Sequence, residues 1–369
     1  MDIKALLGRR SAGGLALLFG AALLATAMLW PFAGRMDRET LDVGDALQQI
    51  RVIRGLQEAW FGAGGSMFDT PTLFPARASV IVYQPLYTSA ALGLPFYALG
   101  WSPLAVFNAL IWLSFALSCW LTALLAWSLT RSLGAAAIAG VGYGFSQVRW
   151  GHLAHLNLLS GFWTLLVLLI LARLWRDPPA RRGAAAAQAL ALGLGIAAQA
   201  LADVYHAVFL LLVVGAWALA QLGRPWREQR RPLAILLAAG AGALLAAAPI
   251  LAPTLRGAAS FQVARSFADH EKYAARLETY AVPAHPSRLG YPLARAEPGI
   301  DLAEQTLWPG LVTLALAGLG GLALVRAPRR AGLAFAGLAL AAFGLSLGPT
   351  LQRGHGDAGL ASWPYRWLY

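Results

Sequence analysis

Long uncharged stretches broken by short polar ones set the pattern of this chain. Arg10 to Arg35 encloses 24 residues without Asp, Glu, Lys or Arg, Arg77 to Arg131 encloses 53, Arg131 to Arg149 encloses 17 and Arg149 to Arg173 encloses 23. Twenty lie between Arg182 and Asp203, 20 between Asp203 and Arg224, 24 between Arg231 and Arg256, 21 between Glu304 and Arg326, and 22 between Arg330 and Arg353. A helix needs about 20 apolar residues to cross hydrocarbon roughly 30 Å thick. The pattern predicts an all-α, polytopic integral membrane protein of about nine transmembrane helices plus one re-entrant or interfacial segment. Residues 80–99, with Pro85 and Pro95, and the short 134–148 stretch are the two candidates for the segment that does not cross. The Gly140-Val141-Gly142-Tyr143-Gly144 run predicts a tightly packed or broken helix, and the many Gly and Ala of the other spans predict close helix packing.

Composition agrees. Hydrophobic residues make up 58% of the 369, charged residues 12%, and mean hydropathy is +0.59. A soluble domain carries about 25% charged residues. Soluble, disordered, collagen-like and disulfide-stapled classes are excluded; Cys119, the single cysteine, lies in an apolar run and reads as packing. The net charge of +12 is a topology signal. Lys4, Arg9 and Arg10 precede the first span, which places the N-terminus and the clusters at Arg131, Arg173–Arg182, Arg224–Arg231 and Arg326–Arg330 in the cytoplasm. With the excess on that side, a nucleic-acid partner is unnecessary. The N-terminal stretch resembles a signal peptide through Ala25-Thr26-Ala27, but its apolar run continues to Phe32, and an uncleaved anchor is expected.

The chain reads as one transmembrane domain, 1–369, with outer loops at 35–79 and 257–306. The first loop holds Asp37, Glu39, Asp42, Asp45, Glu58 and Asp69; the second holds Asp269, Glu271, Glu278, Glu297, Asp301 and Glu304. Loops this long between packed spans are usually functional or mobile, so an aqueous, carboxylate-containing chamber is expected outside. Asp42-Val43-Gly44-Asp45 opens a surface helix whose apolar face is Leu47, Ile50, Ile53, Leu56 and Trp60. Asp42 and Asp45 suit helix capping and equally a general base for a substrate hydroxyl.

Three further constellations follow. Arg149-Trp150-Gly151-His152-Leu153-Ala154-His155 lies at an outer mouth, with its histidines three residues apart on one predicted helix face. Arg149, His152 and His155 read as an anion site or as interfacial anchors; as a metal pair the two histidines lack a third ligand. Asp203 marks a tight outer turn, and with Tyr205 and His206 it reads as pocket lining. Glu271 to Tyr280 reads as a solvated amphipathic helix, followed by an extended stretch through His285-Pro286 and Tyr291-Pro292. No Walker loop, dinucleotide fingerprint or Cys–His cluster occurs.

One span, then a long outer loop with an acidic motif starting a surface helix, then many spans, resembles the GT-C superfamily of membrane glycosyltransferases. The chain is also similar to a group of bacterial polytopic proteins through Gly44-Asp45-Ala46-Leu47-Gln48-Gln49-Ile50, Arg149-Trp150-Gly151-His152-Leu153-Ala154-His155-Leu156, and Tyr273-Ala274-Ala275-Arg276-Leu277 through Tyr280 and Pro283. The resemblance implies transfer of a sugar from a polyprenyl-phosphate carrier to an acceptor at the outer face of a bacterial inner membrane. It implies Asp45 as the base, Asp42 as a supporting carboxylate or metal contact, and Arg149, His152 and His155 on the carrier phosphate. A divalent cation assists some members. The group continues beyond the segment matched by Trp363 to Tyr369, so a C-terminally truncated chain without acceptor-binding parts is expected. A transporter or lipid flippase is the rival reading, with Asp203, Arg149 and the histidines along its path. Transporters place polar groups at the midplane, often in inverted repeats, and neither feature is evident here. A non-catalytic scaffold, in which the outer acids are replaceable, is the third.

Overall fold

The computed structural model describes residues 9–41, 43–61, 65–84, 86–261, 266, 271–281, 307–326, 330–348, 352–353 and 356–357. Asp42, His285 to Tyr291 and the Trp363–Tyr369 segment lie outside them. Helices dominate: α1 (Arg9–Met28), α2 (Ala46–Trp60), α3 (Tyr87–Ala98), α4 (Pro103–Thr130), α5 (Leu133–Gly144), α6 (Gln147–Gly151), α7 (Leu156–Leu159), α8 (Phe162–Arg176), α9 (Arg182–Ala202), α10 (Val204–Gln221), α11 (Trp226–Ser260), α12 (Leu311–Arg326) and α13 (Arg330–Ser346). The strands among the described residues are one two-residue antiparallel pair, Gln352–Arg353 with Gly356–Asp357.

Among the described residues, five helical stretches are long and apolar enough to cross a membrane: Pro103–Thr130, Leu156–Arg176, Arg182–Ala202, Val204–Gln221 and Trp226–Ala258. Gly13–Met28, Leu311–Arg326 and Gly332–Ser346 are shorter apolar helices. Both segments singled out as non-crossing form 12-residue helices, α3 and α5, about 18 Å long at 1.5 Å per residue. The 53-residue uncharged gap therefore holds one long helix and one short one. Helix faces turned away from neighbours are apolar; Leu245 is 76% and Val325 83% exposed. Large aliphatic side chains left uncovered along whole helices need hydrocarbon around them. The described residues, whose regular structure is helical but for the one short strand pair, are those of a membrane-embedded protein.

The described residues fall into two compact units. The first takes those of Met1–Gly144, Leu153–Leu211 and Arg224–Val263. Its spine is α4. Ser102 caps that helix, its Oγ accepting the Ala105 N–H at 3.2 Å, Pro103 suits the first turn, and Arg131 ends the helix in the left-handed region. α5 lies against α4 on glycine. A Cβ on Gly144 would stand 2.6 to 2.9 Å from the Cβ, Cα and N of Cys119, and one on Gly140 would stand 2.7 Å from the Cys119 carbonyl oxygen. α9 and α11 meet the same way: a Cβ on Gly193 would stand 2.8 Å from the Ala239 carbonyl oxygen, and Ala197 lies beside Ala243 and Ala247. Small residues let backbones approach where lipid offers no hydrophobic drive for association. Arginines gather at one end of this unit: Arg176 donates to the Ser128 carbonyl, Arg224 to that of Trp175 at 3.3 Å, and Arg231 to that of Ala180 at 2.5 Å.

The second unit takes the described residues of Phe145–His152, Leu212–Gly223 and Ala264–Tyr369. In it the amphipathic helix expected over Glu271–Tyr280 is not formed. The chain is helical only over 271–273, bends, and makes a 3-10 turn at Leu277–Ala281. Ala274, Ala275 and Thr279 are buried. The Ala275 N–H donates to the Ser346 carbonyl at 2.8 Å, the Tyr280 and Ser346 hydroxyls are 2.6 Å apart, and the Tyr280 ring packs on Phe343 at 4.9 Å. Docking on α13 outweighs what the spaced charges contribute to a free helix, a few tenths of a kcal/mol per pair.

Candidate functional site

α2 lies along the first unit as an amphipathic helix. Its buried positions are Ala46, Gln49, Val52, Ile53, Leu56 and Gln57. Ile53 and Leu56 of the expected apolar face are buried, but Leu47 is 55% exposed, and Ala46, Val52 and two glutamines complete the buried stripe. Each glutamine makes a specific bond. Gln57 Nε2 donates to the Ala90 carbonyl at 3.1 Å, and Gly93 leaves room, since a Cβ there would stand 2.7 Å from that nitrogen. Gln49 Nε2 donates to Asn157 Oδ1 at 2.9 Å while its Oε1 accepts the Leu156 N–H at 2.8 Å.

Asp45 is the N-cap residue of α2, but its side chain caps nothing. The carboxylate turns instead to His155, with Oδ2 to Nε2 at 3.1 Å. The Asp45 side chain is 56% exposed and the His155 side chain 18%, so the pair is reachable from solvent through the carboxylate. Of the two readings offered for Asp45, capping fails because the acid has a partner 110 residues away.

From there the polar contacts run inward. Asn157 Nδ2 donates to Asp203 Oδ1 at 3.3 Å. Asp203 Oδ2 accepts the His206 N–H at 2.9 Å and stands 2.7 Å from His206 Nδ1. Asp203 is fully buried, although its place in a turn between helices suggested exposure; Gln49 and Asn157 are 2% and 3% exposed. A buried carboxylate is tolerable only with charge or hydrogen bonds around it, and three donors surround this one. Nδ1 faces the acid, so the free edge of His206 is Nε2, 3.1 Å from where a Gly161 Cβ would stand, with the Tyr143 hydroxyl 3.3 Å from the same point. Tyr205, expected as pocket lining, is 47% exposed and takes no part in these bonds.

His152 and His155 do not share a helix face. α6 ends at Gly151, the chain turns through 152–154, and His155 precedes α7. Gly151 makes a poor helix interior, and the turn aims the two imidazoles independently. Arg149 and His152 belong to the second unit, where they are 7% and 8% exposed and His152 Nδ1 lies 2.7 Å from the Val148 carbonyl of its own turn. Asp45, His155, Asp203 and His206 belong to the first. Asp45 starts α2, His155 precedes α8, and Asp203 ends α9, so this cluster occupies the end of the first unit opposite Arg176, Arg224 and Arg231. Among the described residues no three of His, Cys, Asp and Glu are grouped to hold a metal ion.

The amides escaped the sequence reading. Gln49, Gln57, Asn157 and also Asn108, whose Nδ2 holds the Met36 and Glu39 carbonyls at 2.8 and 2.7 Å, carry no charge and break no apolar run. Their signal was there, as lone amides at helical spacing on an otherwise apolar stripe. Comparison with protein-family models, curated proteins and solved structures gives no match.

Proposed function

We propose that the chain is a GT-C-type membrane glycosyltransferase that moves a sugar from a polyprenyl-phosphate carrier to an acceptor hydroxyl at the extracytoplasmic face of a bacterial inner membrane. On this reading it crosses nine times. The five long spans are joined by the three shorter apolar helices and by one of α3 and α5, the other being re-entrant, and the N-terminus is cytoplasmic.

The observation that carries the reading is the Asp45–His155 contact: an exposed carboxylate, held by an imidazole from a distant segment, at the end of the first unit opposite the arginines. A general base must be reachable and oriented, and this acid is both. Asp45 takes the acceptor's proton as its oxygen attacks the anomeric carbon. The bond from that carbon to the phosphate oxygen breaks, and the electron pair leaves with the carrier phosphate. His155 fixes the carboxylate rotamer. The resemblance implies Arg149, His152 and His155 as donors to the carrier phosphate and Asp42 as a supporting carboxylate or metal contact; a divalent cation, where one is used, would add charge stabilisation at that phosphate. Against the transporter reading stands the position of the buried Asp203–His206 pair, at a helix junction rather than along the middle of a span.

The test is a transfer assay with lipid-linked sugars on purified protein. Asp45→Asn keeps the shape and removes the base, and is expected to lower kcat by a factor of about 100 to 10,000. His155→Gln is expected to lower it less. Unchanged turnover in Asp45→Asn contradicts the assignment.

A further inference from the structure

We infer that Gln49 and Asn157 are positioning residues, whose amides set the register of α2 against the 155–160 turn and thereby hold the Asp45 carboxylate on His155. The inference rests on the sugar-transfer reading for its consequence and deepens it.

Asp45 and Gln49 are four residues apart on one side of α2, one turn or about 5.4 Å of rise. Their partners, His155 and Asn157, are two apart. The two contacts are neighbouring rungs between the same two segments, one at the exposed edge and one buried. The apolar anchors of α2, Val52, Ile53 and Leu56, pack without directional demand. A slip of one residue rotates a helix face by about 100°, and apolar packing alone resists such a slip weakly. The amides resist it strongly, because every slipped register strands a buried donor or acceptor. Both ends of Gln49 are used, on Asn157 Oδ1 and the Leu156 N–H. Asn157 is braced in turn by Asp203, which the His206 N–H and Nδ1 hold at the junction of α9 and α10. The register of the base is thus tied, through Asn157 and Asp203, to the junction of α9 and α10. Gln57 pins the far end of α2 on the Ala90 carbonyl, away from Asp45, and serves as the internal control.

The experiment reads register directly, without activity. In a Cys119→Ser background, Asp45→Cys and His155→Cys are bridged by a short bifunctional thiol reagent in the full-length, detergent-purified protein. Gln49→Met, equal in length but unable to hydrogen bond, is expected to slow bridging about tenfold, and Gln57→Met to leave it within about twofold. In the chain that retains Asp45 and His155, Gln49→Met lowers kcat for a lipid-linked sugar with KM little changed, and Gln57→Met does neither. Should Gln49→Met fail to accumulate, Gln49→Asn, one methylene shorter, is measured in its place with the same expectation. Bridging unaffected by loss of the Gln49 amide, or slowed equally by both glutamine variants, overturns the inference. Bridging as expected with no transfer in any chain upholds the positioning role and overturns the transferase reading instead.

Discussion

Asp45 and Asp203 are both helix-terminal acids, and their surroundings separate them. Asp45 keeps most of its carboxylate in solvent and spends one oxygen on His155; Asp203 gives up all exposure and accepts three donors. The first suits chemistry, the second suits anchoring. Truncating Asp203 to Ala leaves the His206 N–H and the Asn157 amide without their acceptor inside an apolar unit, and is expected to destabilise by about 1–3 kcal/mol, read as a lower melting temperature in detergent. Asp203→Asn should recover only part of that loss, because its Nδ2 meets other donors. The glycines of α5 give a cleaner contrast. A Cβ at 144 meets the Cys119 backbone at 2.7 Å whereas one at 142 meets nothing within 4 Å. Gly144→Ala should cost about 1–3 kcal/mol through overpacking, and Gly142→Ala should raise or leave stability by a few tenths. Equal melting temperatures for the two would contradict the α4–α5 contact described above.

At the level of elements, apolar runs and their charged ends were legible because the bilayer sets both length and composition. α9 begins at Arg182, where the charge count placed its start, and α8 ends at Arg176, three residues past the expected Arg173. Amphipathicity of α2 was legible too, with Ile53 and Leu56 buried as expected, but the N-terminal part of its buried face was not. Leu47 looks like a core position by spacing, yet Ala46 and Gln49 are the residues that face inward. Amides buried through partners on other segments are scored by hydropathy as polar surface, and their place on an otherwise apolar stripe names no partner. The Glu271–Tyr280 segment failed for the complementary reason: its charges spell a free helix, and its docking on α13 depends on contacts that spacing does not encode. The inward face of α2 is open to test. Leu47→Lys should leave expression and melting temperature unchanged, whereas Ile53→Lys, at a position 2% exposed, should abolish accumulation of folded protein.

For the molecule as a whole, the arginine-lined end of the first unit and the Asp45–His155 end are separated by the length of α9, 21 residues or about 31 Å. That span matches hydrocarbon thickness, and it converts the positive-inside argument into a sidedness prediction. In the Cys119→Ser background, a membrane-impermeant thiol reagent applied to intact spheroplasts should label Val43→Cys, beside Asp45 and exposed, and should spare Ala180→Cys at the arginine end. Labelling in the reverse order would put the carboxylates in the cytoplasm and remove them from an outer-face reaction. What kind of work the chain does is decided most directly by following both halves of one lipid-linked sugar in proteoliposomes of the purified protein. The account predicts that sugar appears on the acceptor in equal amount with free carrier phosphate, and that both stop together in Asp45→Asn. Sugar crossing the bilayer with its bond to the carrier intact would contradict it.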